Sequence, residues 1–221
     1  MQADIEGQPA FAYLKVALKP GETITAESGA MASMDTSLDM NARFNGGFFS
    51  GLIKKFLGGE SLFVQEFTNN TSDTKHVVLS PSTPGDMKEV EVRNQPLCLQ
   101  PGAYIASTPG IKLNVEWAGF ASFIAKEGLF RLKLAGVGTV WYGAYGALLD
   151  KEVDGEYIVD TAHLVSYTPS LDIKMGLSGG IFASFFSGEG LITRVKGKGR
   201  ITIQTRSMSG LVGWLNPKLP R

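Results

Sequence analysis

Three side chains in this chain are histidine or cysteine, the nitrogen and sulfur ligands of a zinc site: His76, His163 and Cys98. A closed zinc site takes about four such ligands. These three are far apart in sequence and none has a second ligand at metal spacing, so no metal or other cofactor is expected. His163 lies in "TAHLVSY" and His76 just precedes "VVLS"; both read as strand histidines with ordinary hydrogen bonds. A triad of His163 with Asp160 or Asp172 would need a serine raised on a strand–turn–helix elbow, and no such elbow is expected. Cys98 sits between Leu97 and Leu99 with no basic cluster beside it, as a small buried hydrophobe rather than a reactive thiol.

"DKEVDGE", residues 150–156, has the alternating acids and sixth-position glycine that open a calcium loop. The twelfth position, which needs a bidentate carboxylate, is Thr161, and strands flank the segment where helices belong. An acidic turn joining two strands is expected. "KGKGR" places Lys196, Lys198 and Arg200 at alternate positions, projecting from one face of a strand or hairpin. The patch is a weak candidate for phosphate contact, because no aromatics interleave it for base stacking. "GVG" and "GKG" lack the strand–loop–helix setting of phosphate loops. Three further carboxylates, Glu60, Glu127 and Glu189, each sit beside a turn glycine. They either cap backbone amides locally or, if brought to one axis, share protons or a cation. No catalytic residue is assigned, and the protein is expected not to be an enzyme.

The elements that carry these residues are short. Runs of four to eight residues rich in Val, Ile, Tyr and Thr alternate with 27 glycines and 10 prolines, which predicts an all-β fold with many turns. Lys plus Arg and Asp plus Glu number 21 each, so charge alone points to neither nucleic acid nor an anionic membrane. A single cysteine gives no internal disulfide, and a reducing, cytoplasmic setting is expected. The first 22 residues carry acids early and no apolar stretch before a cleavage site, so no signal peptide is expected, and no run approaches the length of a spanning helix.

Two patterns recur three times. One is a turn and strand, "GETITAESGAMASM" from Gly21, "GAYIASTPGIKLNV" from Gly102 and "GEYIVDTAHLVSY" from Gly155. The other is glycine, an apolar segment, adjacent Gly and Glu, then a strand: "GGFFSGLIKKFLGGESLF", "AGFASFIAKEGLF" and "GGIFASFFSGEGLI". They divide a single domain, 1–221, into three pseudo-equivalent β units at about 8–84, 88–146 and 147–209, with a tail at 210–221 that docks back or meets a partner. The apolar segments have short helical spacing. They hold Phe48, Phe49 and Phe56 in the first unit, Phe120 and Phe123 in the second, and Phe182, Phe185 and Phe186 in the third. These inserts either plug the core, form a subunit interface or touch a membrane surface.

Together the segments "GETITAESGAMASM", "GGESLF", "EGLFRLKLAGVGTVWYGAYG", "EYIVDTAHLVSY" and "SGEGLITRVKGKGRITIQTR" resemble a bacterial family related to the fungal mitochondrial-biogenesis protein named for altered inheritance of mitochondria. That family is grouped with the trp RNA-binding attenuation protein as TRAP-like. The resemblance spans about residues 10–207. It implies a β-sandwich of the double-stranded β-helix type, repeated within the chain and assembled as a homo-oligomeric trimer or ring. It implies no established enzyme activity. No tryptophan pocket or RNA-binding surface can be matched residue by residue. The resulting expectation is a non-enzymatic scaffold or interaction protein that self-associates through its apolar inserts. The alternatives are a small-ligand or nucleic-acid-binding module and a peripheral membrane protein.

Overall fold

A computed structural model describes residues 1–44, 63–93, 95–100, 102–117, 130–177 and 191–219. Its strands are β1 (Gln2–Glu6), β2 (Tyr13–Leu18), β3 (Thr23–Glu27), β4 (Met31–Met34), β5 (Asp39–Phe44), β6 (Phe63–Thr68), β7 (Lys75–Leu79) and β8 (Met87–Arg93). They continue with β9 (Leu97–Leu99), β10 (Tyr104–Ser107), β11 (Ile111–Trp117), β12 (Phe130–Gly143), β13 (Leu148–Asp160), β14 (Leu164–Tyr167), β15 (Asp172–Leu177) and β16 (Leu191–Gln204). Among the described residues one α-helix, α1 (Met208–Leu215), follows. The fold is all-β and sandwich-like, as the alternation predicts. The strands form a four-stranded sheet, β1-β2-β7-β4, and a larger one running β13-β16-β14-β9-β12-β10-β3-β6-β5.

Two long strands each serve two neighbourhoods. The first half of β12 pairs with β11 and β9, its second half with β8 and β10. β16 does the same with β15 and then β14, while β13 runs beside its full length. The change of direction falls at "GVG" and "GKG". Gly136 and Gly197 have φ of 123° and 125°, where a Cβ is strained. These glycines therefore bend strands. In the first third of the chain the same path is cut into β6 and β7 by the loop at Asn69, whose buried amide donates to the Leu18 and Asp73 carbonyl oxygens at 2.8 and 2.7 Å.

A local pattern is drawn three times. β4, β10 and β14 each pair antiparallel with β7, β12 and β16, and each carries a bulge, at Ala32, Ile105 and Val165. The next residue after each short strand is Asp35, Thr108 or Thr168. Each donates its amide to a partner-strand carbonyl (His76, Thr139 or Arg200) and accepts that residue's amide on its side-chain oxygen, at 2.8, 3.0 and 3.1 Å. Three residues later Leu38, Ile111 and Leu171 turn inward and are buried. This alignment differs from the one that the glycines of the first sequence pattern suggest. Ala30 and Ala103 are counterparts, each accepting an amide from the end of its partner strand (Ser80, just after β7, and Gly143, the last residue of β12), so Gly29 stands where Gly102 does, and neither Gly21 nor Gly155 does.

Hydrophobic burial supplies the driving force. One core gathers Leu14, Val16, Ile24, Phe67 and Val77. A second gathers Leu99, Tyr104, Leu132, Leu134 and Tyr142, and a third Cys98, Leu164, Tyr167, Val195 and Ile201. Fully burying one such aliphatic side chain is worth about 1.5–3 kcal/mol. Among the described residues no buried side-chain nitrogen or oxygen lacks a hydrogen-bond partner.

Candidate functional site

The "DKEVDGE" segment is not a turn. It lies inside β13, a continuous 13-residue strand, with Gly155 at φ 110°. Its acids face the "KGKGR" cations directly. Glu152 pairs in register with Arg200, Asp154 with Lys198 and Glu156 with Lys196. Period-two side-chain alternation puts both stripes on one face. Arg200 Nε lies 2.6 Å from Glu152, Lys198 Nζ 3.6 Å from Asp154, and Arg194 reaches Glu156 at 2.9 Å. The predicted basic patch is thus a two-signed ladder, and a polyanion gains little from it. Such exposed pairs contribute about 0–1 kcal/mol each.

Beside this ladder opens a cavity of about 800 Å³, between β8, the β14–β15 turn and the bend of β16. Val90, Leu97 and Pro169 give it apolar wall, and Lys88, Arg93 and Arg200 give it charge. Each cation has an acid: Lys88 pairs with Asp150, and Arg93 with Glu91 at 2.6 Å. Burial works to raise the Asp150 carboxyl, but hydrogen bonds from Lys88 and Thr202 outweigh it and hold the group below its ordinary value. The Tyr142 hydroxyl lies 3.2 Å from Thr202 Oγ1 at the inner wall. The cleft is therefore balanced in charge, rich in hydrogen-bonding groups and partly apolar, the makeup of a site for a neutral or zwitterionic small molecule.

Under the cleft a charged network joins β9, β11, β12 and β14. Glu116 accepts from Arg131 Nε and Nη2 at 3.0 and 2.8 Å and from Lys133 at 3.0 Å. Arg131 Nη1 also donates to the Tyr167 hydroxyl at 3.1 Å. Lys133 foremost, then Arg131, holds the Glu116 carboxyl below its usual range against partial burial. Burial pushes the Tyr167 hydroxyl up to about 12 and raises the Cys98 thiol. Cys98 is buried as expected.

His163 lies in a single 3-10 turn, Thr161–His163, and not on a strand; its Nδ1 is 2.7 Å from the Gln204 carbonyl oxygen. Neither predicted triad acid is directed to it, since Asp160 accepts from the Ala162 amide and Asp172 pairs with Lys174. His76 is part of β7, beside Asp35 at 3.5 Å. The expected absence of Gly-x-Ser-x-Gly spacing is corrected by the sequence, where it occurs once, at Gly176 to Gly180, starting within β15, and its Ser178 lies outside the described residues. So do Glu60, Glu127 and Glu189, and all eight insert phenylalanines: Phe48, Phe49, Phe56, Phe120, Phe123, Phe182, Phe185 and Phe186. Among the described residues there is no cluster of His, Cys, Asp and Glu fit to hold a metal.

Ser207 caps α1 by accepting the Gly210 amide; no residue of the helix is buried, and Leu211 and Leu215 are half-buried. Val212 is 55% exposed and Trp214 61% exposed, with Lys218 5.0 Å over the Trp214 ring. The sequence from Gly190 to Arg221 contains no acid. No helix among the described residues is long and apolar enough to cross a membrane.

The family model described as mitochondrial biogenesis AIM24 matches residues 3–206, and the chain belongs to that family. The chain is 28% identical over 229 residues to an uncharacterized protein of Streptococcus pyogenes serotype M6, covering 100% of this chain and 92% of that one. A crystal structure of a Streptococcus pyogenes protein superposes with a TM-score of 0.82 at 25% identity, covering 99% of both chains.

Proposed function

We propose that this AIM24-family protein is a non-enzymatic interaction protein, a scaffold that works by associating with copies of itself in a reducing, cytoplasmic setting. The observation that carries the reading is the tail. None of the residues of this apolar helix is buried, its tryptophan is exposed and it carries no acids, and exposed apolar surface of that kind marks a contact site. Trp is also enriched among the residues that dominate interface energies. The ladder on β13 and β16 argues in the same direction. Lys198 and Arg200 are already partnered and Lys196 stands in register with Glu156, which argues against nucleic-acid binding through these three residues.

Light scattering across a dilution series tests this on the full chain. The expected result is a mass of more than one chain. Replacing Val212 and Trp214 with Ser should move dissociation to at least about tenfold higher concentration, the change about 1.4 kcal/mol makes. A single-chain mass at every concentration overturns the scaffold reading.

A second reading rests on the 800 Å³ cleft, which suits a small neutral or zwitterionic ligand. Thermal-shift screening with such molecules checks it, using Tyr142→Phe and Arg200→Ala as variants that should abolish any stabilisation found.

A further inference from the structure

The threefold recurrence leaves one junction unmade. β10 pairs with β3, setting Ala106 opposite Ala26 and Ser107 opposite Thr25. β14 pairs with β9 in the same way, Ser166 opposite Leu99 and Tyr167 opposite Cys98. Of the three short bulged strands, β4 has no such neighbour among the described residues: it ends its sheet and pairs only with β7. The segment at the position of β3 and β9 in the last third is Tyr157–Val159 of β13. Val159 lies opposite Thr193 on β16, as Ala26 lies opposite Gln65 on β6 and Leu99 opposite Leu132 on β12. The outer edge of β13 is likewise unpaired among the described residues.

Exposure shows that these two edges do not cover one another within the chain. Ile105 and Ala106 on β10 are 1% and 0% exposed, whereas their counterparts Ala32 and Ser33 on β4 are exposed. Ile158 is 48% exposed, and its counterpart Cys98 is 1% exposed. Charge separates these edges from the others. Open strand edges invite pairing with another chain, and proteins block them with charged side chains. β1, β5, β8, β11 and β15 each carry at least two charged residues, and so does β13 from Asp150 to Glu156. β4 and Tyr157–Val159 carry none.

We infer that β4 of one copy pairs antiparallel with Tyr157–Val159 of a second copy, in the register already used twice inside the chain. Ser33 then lies opposite Val159, and Met34 opposite Ile158. The contact is head-to-tail, because the two edges differ, so it makes a ring if the rotation closes and an open array if it does not. It rests on the self-association reading and names a surface separate from the tail.

Directed cross-linking of the full chain decides it. Residues directly opposite in an antiparallel pair have Cβ atoms about 4.5–5.5 Å apart, within reach of a disulfide after small adjustment. Mild oxidation of a Met34→Cys, Ile158→Cys double variant, with the exposed Ile158 as one of its two sites, should convert most of the protein into covalent dimers and longer species. Neither single variant should link to itself, and buried Cys98 should not compete. Ile158→Lys, at an exposed position, should keep the melting temperature and raise the concentration needed for association at least tenfold. A cross-link within one chain, or self-linking of either single variant, overturns the inference. So does a multi-chain wild type that neither cross-links nor responds to Ile158→Lys, and in that case self-association itself still stands. A wild type that is one chain throughout removes both.

Discussion

The bend in β12 can be tested by comparing two glycines. Gly136 sits at φ 123°, and a Cβ there would lie 2.2 Å from the Gly110 carbonyl oxygen, a backbone atom that cannot rotate away. Gly155, in the exposed β13, has φ 110°, and a Cβ there would meet nothing within 4 Å. Alanine at either site therefore meets the same backbone penalty, about 1–3 kcal/mol for a non-glycine residue in that region. Only Gly136→Ala adds a steric cost, about 1–3 kcal/mol for forcing an extra carbon into a packed place. The sum is about 2–6 kcal/mol, and for a chain of this length each kcal/mol lowers Tm by about 2–4 °C. Urea unfolding of both variants, read as midpoint shifts at constant slope, measures the difference. Gly136→Ala should be less stable than Gly155→Ala by at least about 1 kcal/mol. Equal midpoints would refute the claim that close approach of Gly110 and Gly136 lets one strand serve two sets of neighbours.

Two smaller changes probe other parts of the framework. Thr108→Val removes the acceptor of the Thr139 amide and should cost about 1 kcal/mol, while Thr108→Asp should recover most of the loss in thermal unfolding, because Asp35 performs the same task in the first third. Glu116→Gln should destabilise by about 1 kcal/mol at pH 7. The Glu116 carboxyl is held below its unfolded value, so its contribution is fully present above the unfolded pKa and is lost as pH falls through the folded one. The gap between wild type and variant in urea midpoint should accordingly be present at neutral pH and close in acid below about pH 4.

How much of this was legible in the sequence depends on what kind of signal each feature leaves. Alternation and turn residues were enough for the all-β class, and the strands that follow the three apolar segments are described from Phe63, Phe130 and Leu191, against openings on Leu62, Leu129 and Leu191 in the second pattern, of which Leu62 and Leu129 lie outside the described residues. The burial of Cys98 followed from its two leucine neighbours. The first pattern is misaligned because its anchors are glycines, and in a chain with 27 of them a turn glycine identifies little. The positions that recur are Asp35, Thr108 and Thr168, alike in offering an oxygen two or three bonds from the backbone. The repeated Thr-Pro at 108–109 and 168–169, each followed at the third position by Ile111 or Leu171, was the available clue. "GVG" and "GKG" do not read as breaks because a strand that changes its pairing partners keeps its alternation on both sides of the glycines.

The charge pattern gives the same lesson at longer range. Read along the chain, "KGKGR" is a basic run and "DKEVDGE" an acidic one, and each suggests a ligand of opposite sign. Read across the sheet, each is the other's ligand, because β13 and β16 stay in register for 13 consecutive pairs. Local sequence cannot supply that register; it is set by which faces of the two strands must bury Val153, Val159, Val195 and Ile201. With those charges used internally, the uncharged segments carry the information about partners. Nine residues of β13 after Leu148, from Leu149 to Tyr157, are exposed apart from Val153, and charges protect the strand until Tyr157. There the protection stops, at the place where the recurring pattern calls for a neighbouring strand, and on β4 it is absent where the same pattern calls for the matching one.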